Sequence, residues 1–200
     1  MTWSRLRMTC SRLGQWPGRG PENGELGTKA GPVCHDRDMS RYVLTRDLWS
    51  HGDAFTVREA DSGGECFRVR GQAPAAGDKL SFEDSRGDEL AFIRQGLHLG
   101  VQGLCFEVSR AGQLAARVNL SPRLRQNLLI ETPGQGSFTA AGDIPGMDYR
   151  ISHDDQEVAS ISTRRTHDEA SYSVDIAAGQ DPVFLLALAV AIETIHQQDD

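Results

Sequence analysis

The sequence predicts a mainly β protein: a closed antiparallel barrel of about twelve strands around a central, all-apolar C-terminal helix. Three observations lead to this prediction. Apolar and polar residues alternate in short runs separated by turn residues, which is typical of strands with one buried face. No window before Asp181 shows a helical period. The run from Val183 to Ile192 then contains ten consecutive apolar residues, in a chain whose formal net charge is −7.

The first 38 residues differ from the rest of the chain. Residues 1–38 are rich in Gly, Pro and Arg, and they carry a net charge of +2, which leaves −9 for residues 39–200. Such a segment buries too little apolar surface to offset its ordering entropy, so disorder is the main expectation. Two alternatives stay open: a transit peptide, since residues 1–21 contain four Arg and no acid, or a mis-assigned extension ahead of a natural start at Met39. Residues 39–200 are expected to form the barrel domain.

The strands are predicted from the alternation. In one hairpin, Leu80 and Phe82 precede the turn and Leu90 and Phe92 follow it, and all four are expected to face the interior. About a dozen short strands at this spacing indicate a sandwich or a barrel. Hairpins are predicted around the turns Ser62–Gly64, Arg86–Asp88, Ala111–Gly112 and Asp154–Asp155, with further strands at Tyr42–Thr45, Gln126–Thr132, Ser137–Ala141 and Tyr172–Ile176.

The terminal apolar run predicts a buried helix. Asp181 is suited to cap its first turn, and Pro182 is suited to its first position. From Glu193 onward, polar residues are expected to return the chain to water. Ten residues span about 15 Å, roughly half of a bilayer core, so we expect no membrane span. A helix that is apolar on every side must be buried on every side, and a wide barrel provides that environment.

Four stretches carry a resemblance to a known family: "RYVLTRDLWSHGDAFTV", "GDKLSFEDSRGDELAFIRQ", "YSVDIA" and "DPVFLLALAVAIETIH". In order and spacing they resemble the LURP-one-related family, whose fold is like the C-terminal domain of tubby and like phospholipid scramblases. The resemblance implies a twelve-stranded barrel around a central C-terminal helix. It implies little about activity, although tubby domains bind phosphoinositides and scramblases are membrane-anchored. No such anchor is expected after the terminal helix, and no tubby phosphoinositide motif aligns.

The motifs that suggest catalytic or metal chemistry are short. The four cysteines form no CxxC pair, which disfavours a zinc or redox site. No GxSxG, GxGxxG or complete Walker A spacing is present. Three runs of histidine and acid fall in the N-terminal segment or at predicted turns, where Asp is favoured for its own backbone hydrogen bonds. These runs are His35–Asp38, His153–Asp155 and His167–Glu169. The sequence therefore predicts no catalytic residue, no metal and no cofactor.

The remaining candidate site is basic. Arg123 with Arg125, and Arg164 with Arg165, form two close pairs in a domain that contains a single Lys. Arginine binds phosphate through two parallel hydrogen bonds, so these four residues are the candidates for binding an anion or a lipid headgroup. The alternative is that they are solvated charges at strand ends, which discourage edge pairing.

Two classes of function stay open. The first is a non-catalytic binding or scaffold module whose partner is an anionic phospholipid or a protein. The alternative is an enzyme with an acid–base or metal site in the loops at the barrel end. Excess acid disfavours nucleic acid as a partner. No secretory signal pattern is apparent, so the cytoplasm is the expected compartment, and peripheral contact at a membrane stays open. Nothing in the pattern indicates an oligomeric state.

Overall fold

The computed structural model contains twelve strands followed by one helix, as the alternation and the apolar run predict. It describes residues 39–47, 54–71, 79–96, 105–119, 127–134, 136–166 and 169–199. The predicted boundary of the domain at residue 39 stays a prediction, because residues 1–38 lie outside this range. The elements are β1 (Met39–Asp47), β2 (Ala54–Glu59), β3 (Glu65–Gly71), β4 (Lys79–Asp84), β5 (Glu89–Gln95), β6 (Cys105–Arg110), β7 (Gln113–Asn119), β8 (Asn127–Glu131), β9 (Ser137–Asp143), β10 (Asp148–His153), β11 (Gln156–Thr166), β12 (Glu169–Ala177) and α1 (Pro182–Asp199).

The strands form a closed barrel in which every strand pairs antiparallel with its neighbours in sequence. β1 closes the ring by pairing with β12. Closure leaves no strand edge unpaired. Because consecutive strands run in opposite directions, their connections alternate between two ends of the barrel. We call one the turn end, which carries residues 60–64, 85–88, 111–112, 132–136, 154–155 and 178–181. The other is the loop end, defined by the strand termini that border residues 48–53, 72–78, 96–104, 120–126, 144–147 and 167–168.

Helix α1 enters the barrel at the turn end and fills its interior. Asp181 accepts a hydrogen bond from the Phe184 backbone N–H at 3.2 Å, which confirms the predicted N-cap. Pro182 is the first helical residue, also as predicted. Every residue from Phe184 to Ile195 is buried, and the strand residues of the interior face form one hydrophobic cluster with the helix. Eighteen helical residues extend about 27 Å toward the loop end.

A β-bulge in β5 makes the interior face of this strand differ from the predicted one. In the β4–β5 hairpin, Phe82 pairs with Ala91, and the register then shifts so that Leu90 has no opposite residue. An extra residue reverses the alternation beyond it. Ala91 and Ile93 are therefore buried, and the expectation that Leu90 and Phe92 face the interior is wrong, since both are only half-buried. Equivalent register shifts occur at Cys66, Ala115 and Val158, each on the second strand of a turn-end hairpin.

Among the described residues, no helix combines the length and the apolar character that crossing a bilayer requires. Cys66 and Cys105 are both free thiols. Cys105 is buried, whereas Cys66 is half-buried at a bulge.

Candidate functional site

The candidate arginines border the loop end. Arg164 and Arg165 lie near the end of β11, where they pair with β12. Arg123 and Arg125 fall within residues 120–126, outside the described residues, and the strand termini on both sides of that segment belong to the loop end.

A buried polar cluster lies just inside the loop end. Glu193 of α1 is 3% exposed, and Tyr172 of β12 donates a hydrogen bond from its hydroxyl to Glu193 Oε1 at 2.8 Å. Tyr149, at the start of β10, is 1% exposed. Burial raises the pKa of the Tyr149 hydroxyl well above its ordinary value, and the nearby Glu193 and Tyr172 raise this pKa further. Tyr149 therefore remains a neutral hydroxyl inside the barrel.

The burial of Glu193 corrects the sequence-based expectation that this residue returns the helix to water. The barrel wall is deep enough to enclose the helix as far as Ile195, so Glu193 and Thr194 are carried inside with their apolar neighbours. The Thr194 hydroxyl donates a hydrogen bond to the Val190 carbonyl oxygen at 2.8 Å. The sequence contained one indication of this burial. Ile195 is an apolar residue two positions beyond Glu193, which indicates that the buried part of the helix continues past Glu193.

The turn between β9 and β10 closes over the same end. Its residues Ile144 and Met147 are each 4% exposed and join the hydrophobic core. Thr163 of β11 donates a hydrogen bond to the Gly146 carbonyl at 2.5 Å, and the Gly146 N–H donates to the Asp143 carboxylate at 3.0 Å. These contacts tie the turn to β11 and to the end of β9.

A close backbone approach positions Tyr149. Gly142 of β9 is opposite Tyr149 and has a φ of 138°. A Cβ at this position would lie 2.7 Å from the Asp148 carbonyl oxygen and 2.8 Å from Tyr149 Cα. Only glycine allows β9 and β10 to pair this closely beside the cluster.

The His153–Asp155 run contributes to packing at the turn end. The His153 ring stacks on Phe138 with ring centroids 4.2 Å apart, and Phe138 in turn packs edge-on against Phe184 of the helix. Asp154 and Asp155 form the turn with positive φ angles of 49° and 63°. His35–Asp38 and residues 167–168 lie outside the described residues. Within the described ranges, no group of His, Cys, Asp and Glu has the arrangement of a metal site.

The outer wall carries a line of ion pairs across β5, β6 and β7. Glu107 accepts hydrogen bonds from Arg117 at 2.9 Å and from Arg94 at 2.8 Å. The bond from Arg117, joined by the bond from Arg94, lowers the pKa of the Glu107 carboxyl. At the turn end, Arg110 forms an ion pair with the helix cap Asp181 and so ties the β6–β7 hairpin to α1.

Comparison with known families assigns the chain. The model of the LURP-one-related family matches residues 40–193, which cover β1 almost entirely, all the other strands and most of the helix. The chain belongs to the LURP-one-related family. The residues that carried the resemblance in the sequence analysis fall mostly within this match, and the barrel with a central helix is the fold that the resemblance implied.

Two individual proteins are similar to this chain. The chain is 22% identical over 162 residues to a Bacillus subtilis protein called uncharacterised protein YxjI, covering 81% of the chain and 97% of that protein. The fold of this chain is similar to that in the X-ray structure of a protein from Arabidopsis thaliana, with a TM-score of 0.59 at 16% identity. That similarity covers 79% of this chain and 91% of the plant protein. The likeness at this identity concerns the fold alone.

Proposed function

We propose that this barrel is a non-catalytic binding module that takes the phosphate-bearing headgroup of an anionic lipid at its loop end. Connectivity is the observation that carries the proposal. The strand termini that border residues 120–126, which contain Arg123 and Arg125, belong to the same barrel end as the end of β11, where Arg164 and Arg165 lie. Arginines suit a phosphate group, because the guanidinium can bind two phosphate oxygens at once.

The charge distribution elsewhere on the barrel supports this choice of end. The domain as a whole carries a net charge of −9 and is repelled by an anionic membrane, so attraction must be local. Seven arginines of the described wall and turn end are already in ion pairs with carboxylates, so their charges are offset where they lie. These pairs are Arg41 with Asp175, Arg68 with Glu65, Arg70 with Glu83, Arg94 and Arg117 with Glu107, Arg110 with Asp181, and Arg150 with Glu157.

The expected strength of binding is modest. A basic residue close to an anionic leaflet contributes about 1 kcal/mol, so four arginines contribute about 4 kcal/mol, which corresponds to a dissociation constant of about 1 mM. A multivalent headgroup that contacts several arginines together binds more tightly than a dispersed surface charge. The interaction is electrostatic and is therefore expected to weaken steeply as salt screens the charges.

Vesicle co-sedimentation of the full chain tests the proposal. The vesicles are phosphatidylcholine alone, phosphatidylcholine with phosphatidylserine, and phosphatidylcholine with a phosphoinositide at matched total charge. We expect binding to the phosphoinositide vesicles at about 0.1 M salt and its loss at about 1 M salt. Arg164→Glu with Arg165→Glu removes about 2 kcal/mol of attraction and is expected to weaken binding about thirtyfold or more.

The matched control is Arg58→Glu with Arg86→Glu at the turn end. It makes the same change in net charge on two exposed arginines, one at the end of β2 and one in the turn between β4 and β5. This variant is expected to bind nearly as the unaltered chain does. If no vesicle is bound at low salt, or if both double variants weaken binding equally, the headgroup site is wrong and a protein partner becomes the better explanation.

A further inference from the structure

The Tyr149 hydroxyl is a buried polar group that the fold leaves without a hydrogen bond. Tyr149 is 1% exposed, and its oxygen makes no hydrogen bond with any part of the chain that the structure describes. Leaving a buried hydroxyl without a partner costs free energy, and phenylalanine would fill the same volume without that cost. A hydroxyl kept at such a position indicates that something in the barrel interior binds to it.

The surroundings of Tyr149 define what that partner can be. Glu193 and Tyr172 are close enough to act electrostatically on the Tyr149 hydroxyl, yet neither is directly hydrogen-bonded to it. Buried polar groups that lie near one another without a direct hydrogen bond can be joined by one bridging molecule. A carboxylate accepts about four hydrogen bonds and a phenol oxygen accepts two, so the bonds that Glu193 and Tyr172 already make leave capacity for another.

The chemistry of these groups selects a hydroxyl. An anion beside Glu193 would be repelled, and an apolar group would leave the Tyr149 hydroxyl unsatisfied. A hydroxyl accepts a hydrogen bond from Tyr149 and donates its own hydrogen to Glu193 or Tyr172, which satisfies both requirements at once. We infer that Tyr149, Tyr172 and Glu193 form an internal binding site for one small hydroxyl-bearing molecule, with water as the occupant of the free protein.

The location of the site favours exchange through the loop end. All three residues lie in the half of the barrel beneath the β9–β10 turn. Gly142 fixes Tyr149 from one side by the close pairing of β9 and β10, and Thr163 holds the turn above it. The site is therefore built from four strands and the helix, and it depends on none of the arginines of the proposed headgroup site.

A crystal structure of the full chain is the first test, at a resolution that reveals ordered water. We expect electron density within hydrogen-bond distance of Tyr149 Oη that also contacts Glu193 or Tyr172. Density of the size of one oxygen identifies water, and larger density identifies another hydroxylated molecule; either occupant supports the site. The absence of density beside Tyr149 Oη overturns it.

The second test is whether Tyr149→Phe lowers or raises the stability of the folded chain. Tyr149→Phe removes the donor but keeps the packing, so loss of a satisfied hydrogen bond is expected to lower the folding equilibrium constant about fivefold in urea titration. Without a bound molecule the variant only removes an unsatisfied group, and the constant is unchanged or rises. Tyr42→Phe, at a half-buried position of β1, is the matched control and should change little. An unchanged or higher constant for Tyr149→Phe overturns the inference. Vesicle binding is unaffected by either outcome, so this test is separate from that of the proposed function.

Discussion

The central helix is expected to dominate the stability of the domain, and Leu186→Ala measures its contribution. Leu186 is 0% exposed and lies within the buried run from Phe184 to Ile195. The change removes three buried carbon atoms, which costs about 2 kcal/mol in lost transfer free energy. The surrounding wall is a closed hydrogen-bonded ring and cannot collapse onto the gap, so a residual cavity of about 80 Å³ adds about 2 kcal/mol. The expected loss is about 4 kcal/mol, from a total that is about 5–15 kcal/mol for a typical domain.

Urea unfolding followed by tyrosine and tryptophan fluorescence and by circular dichroism gives the free energy of unfolding for both chains. Leu129→Ala is the matched control, because Leu129 of β8 is 46% exposed and the same atoms are removed without creating a cavity. The control is expected to lose less than about 0.5 kcal/mol. A loss below about 1 kcal/mol for Leu186→Ala would refute the account of a helix packed tightly inside the barrel.

Two further changes test the wall. Gly142→Ala forces a side chain into a backbone conformation with φ 138° and against the Asp148 carbonyl, so we expect a loss of about 1–3 kcal/mol in thermal or urea unfolding. Gly87→Ala, with a φ of 89° but open space around it, is the control, and an equal loss in both would show that contact with β10 is irrelevant. Glu107 has a lowered pKa in the folded state, so its ionised form stabilises the fold above the ordinary glutamate pKa, and this stabilisation is lost as the pH falls through the lowered value. Glu107→Gln should therefore narrow the stability difference between neutral and acid pH; an identical pH dependence in both chains would contradict the role of the Arg94 and Arg117 bonds.

Much of the fold follows from two periodicities in the sequence. Alternation at period two predicted the strands, because each strand has one face against the core. The unbroken apolar run predicted the buried helix, because the barrel surrounds this helix on all sides. The interior face of β5 was not predictable in the same way. The bulge at Leu90 depends on how β5 pairs with β4, and the residues of one strand alone do not report that pairing.

The polar features of the loop end were harder to predict than the strands. Glu193 follows ten apolar residues and looks like the start of a solvated helix end, yet the depth of the barrel decides its burial. Tyr149 and Tyr172 are far from Glu193 in sequence. They lie near it only because β10, β12 and α1 come together in the fold. The strand termini that border residues 120–126 share one barrel end with the end of β11, and this was in principle predictable, because in an antiparallel meander alternate connections fall at the same end.

Hydrogen exchange of the full chain, with and without phosphoinositide vesicles, tests most directly whether the loop end is the ligand-binding end. Backbone amides within 120–126 and 164–171 are expected to exchange more slowly when vesicles are present, because bound headgroups and the adjacent bilayer exclude water from that end. Amides of the turn-end segments 60–64 and 85–88 are expected to exchange at the same rate in both samples. Slower exchange confined to the turn end, or no difference in any segment under conditions where the chain co-sediments, would contradict the assignment.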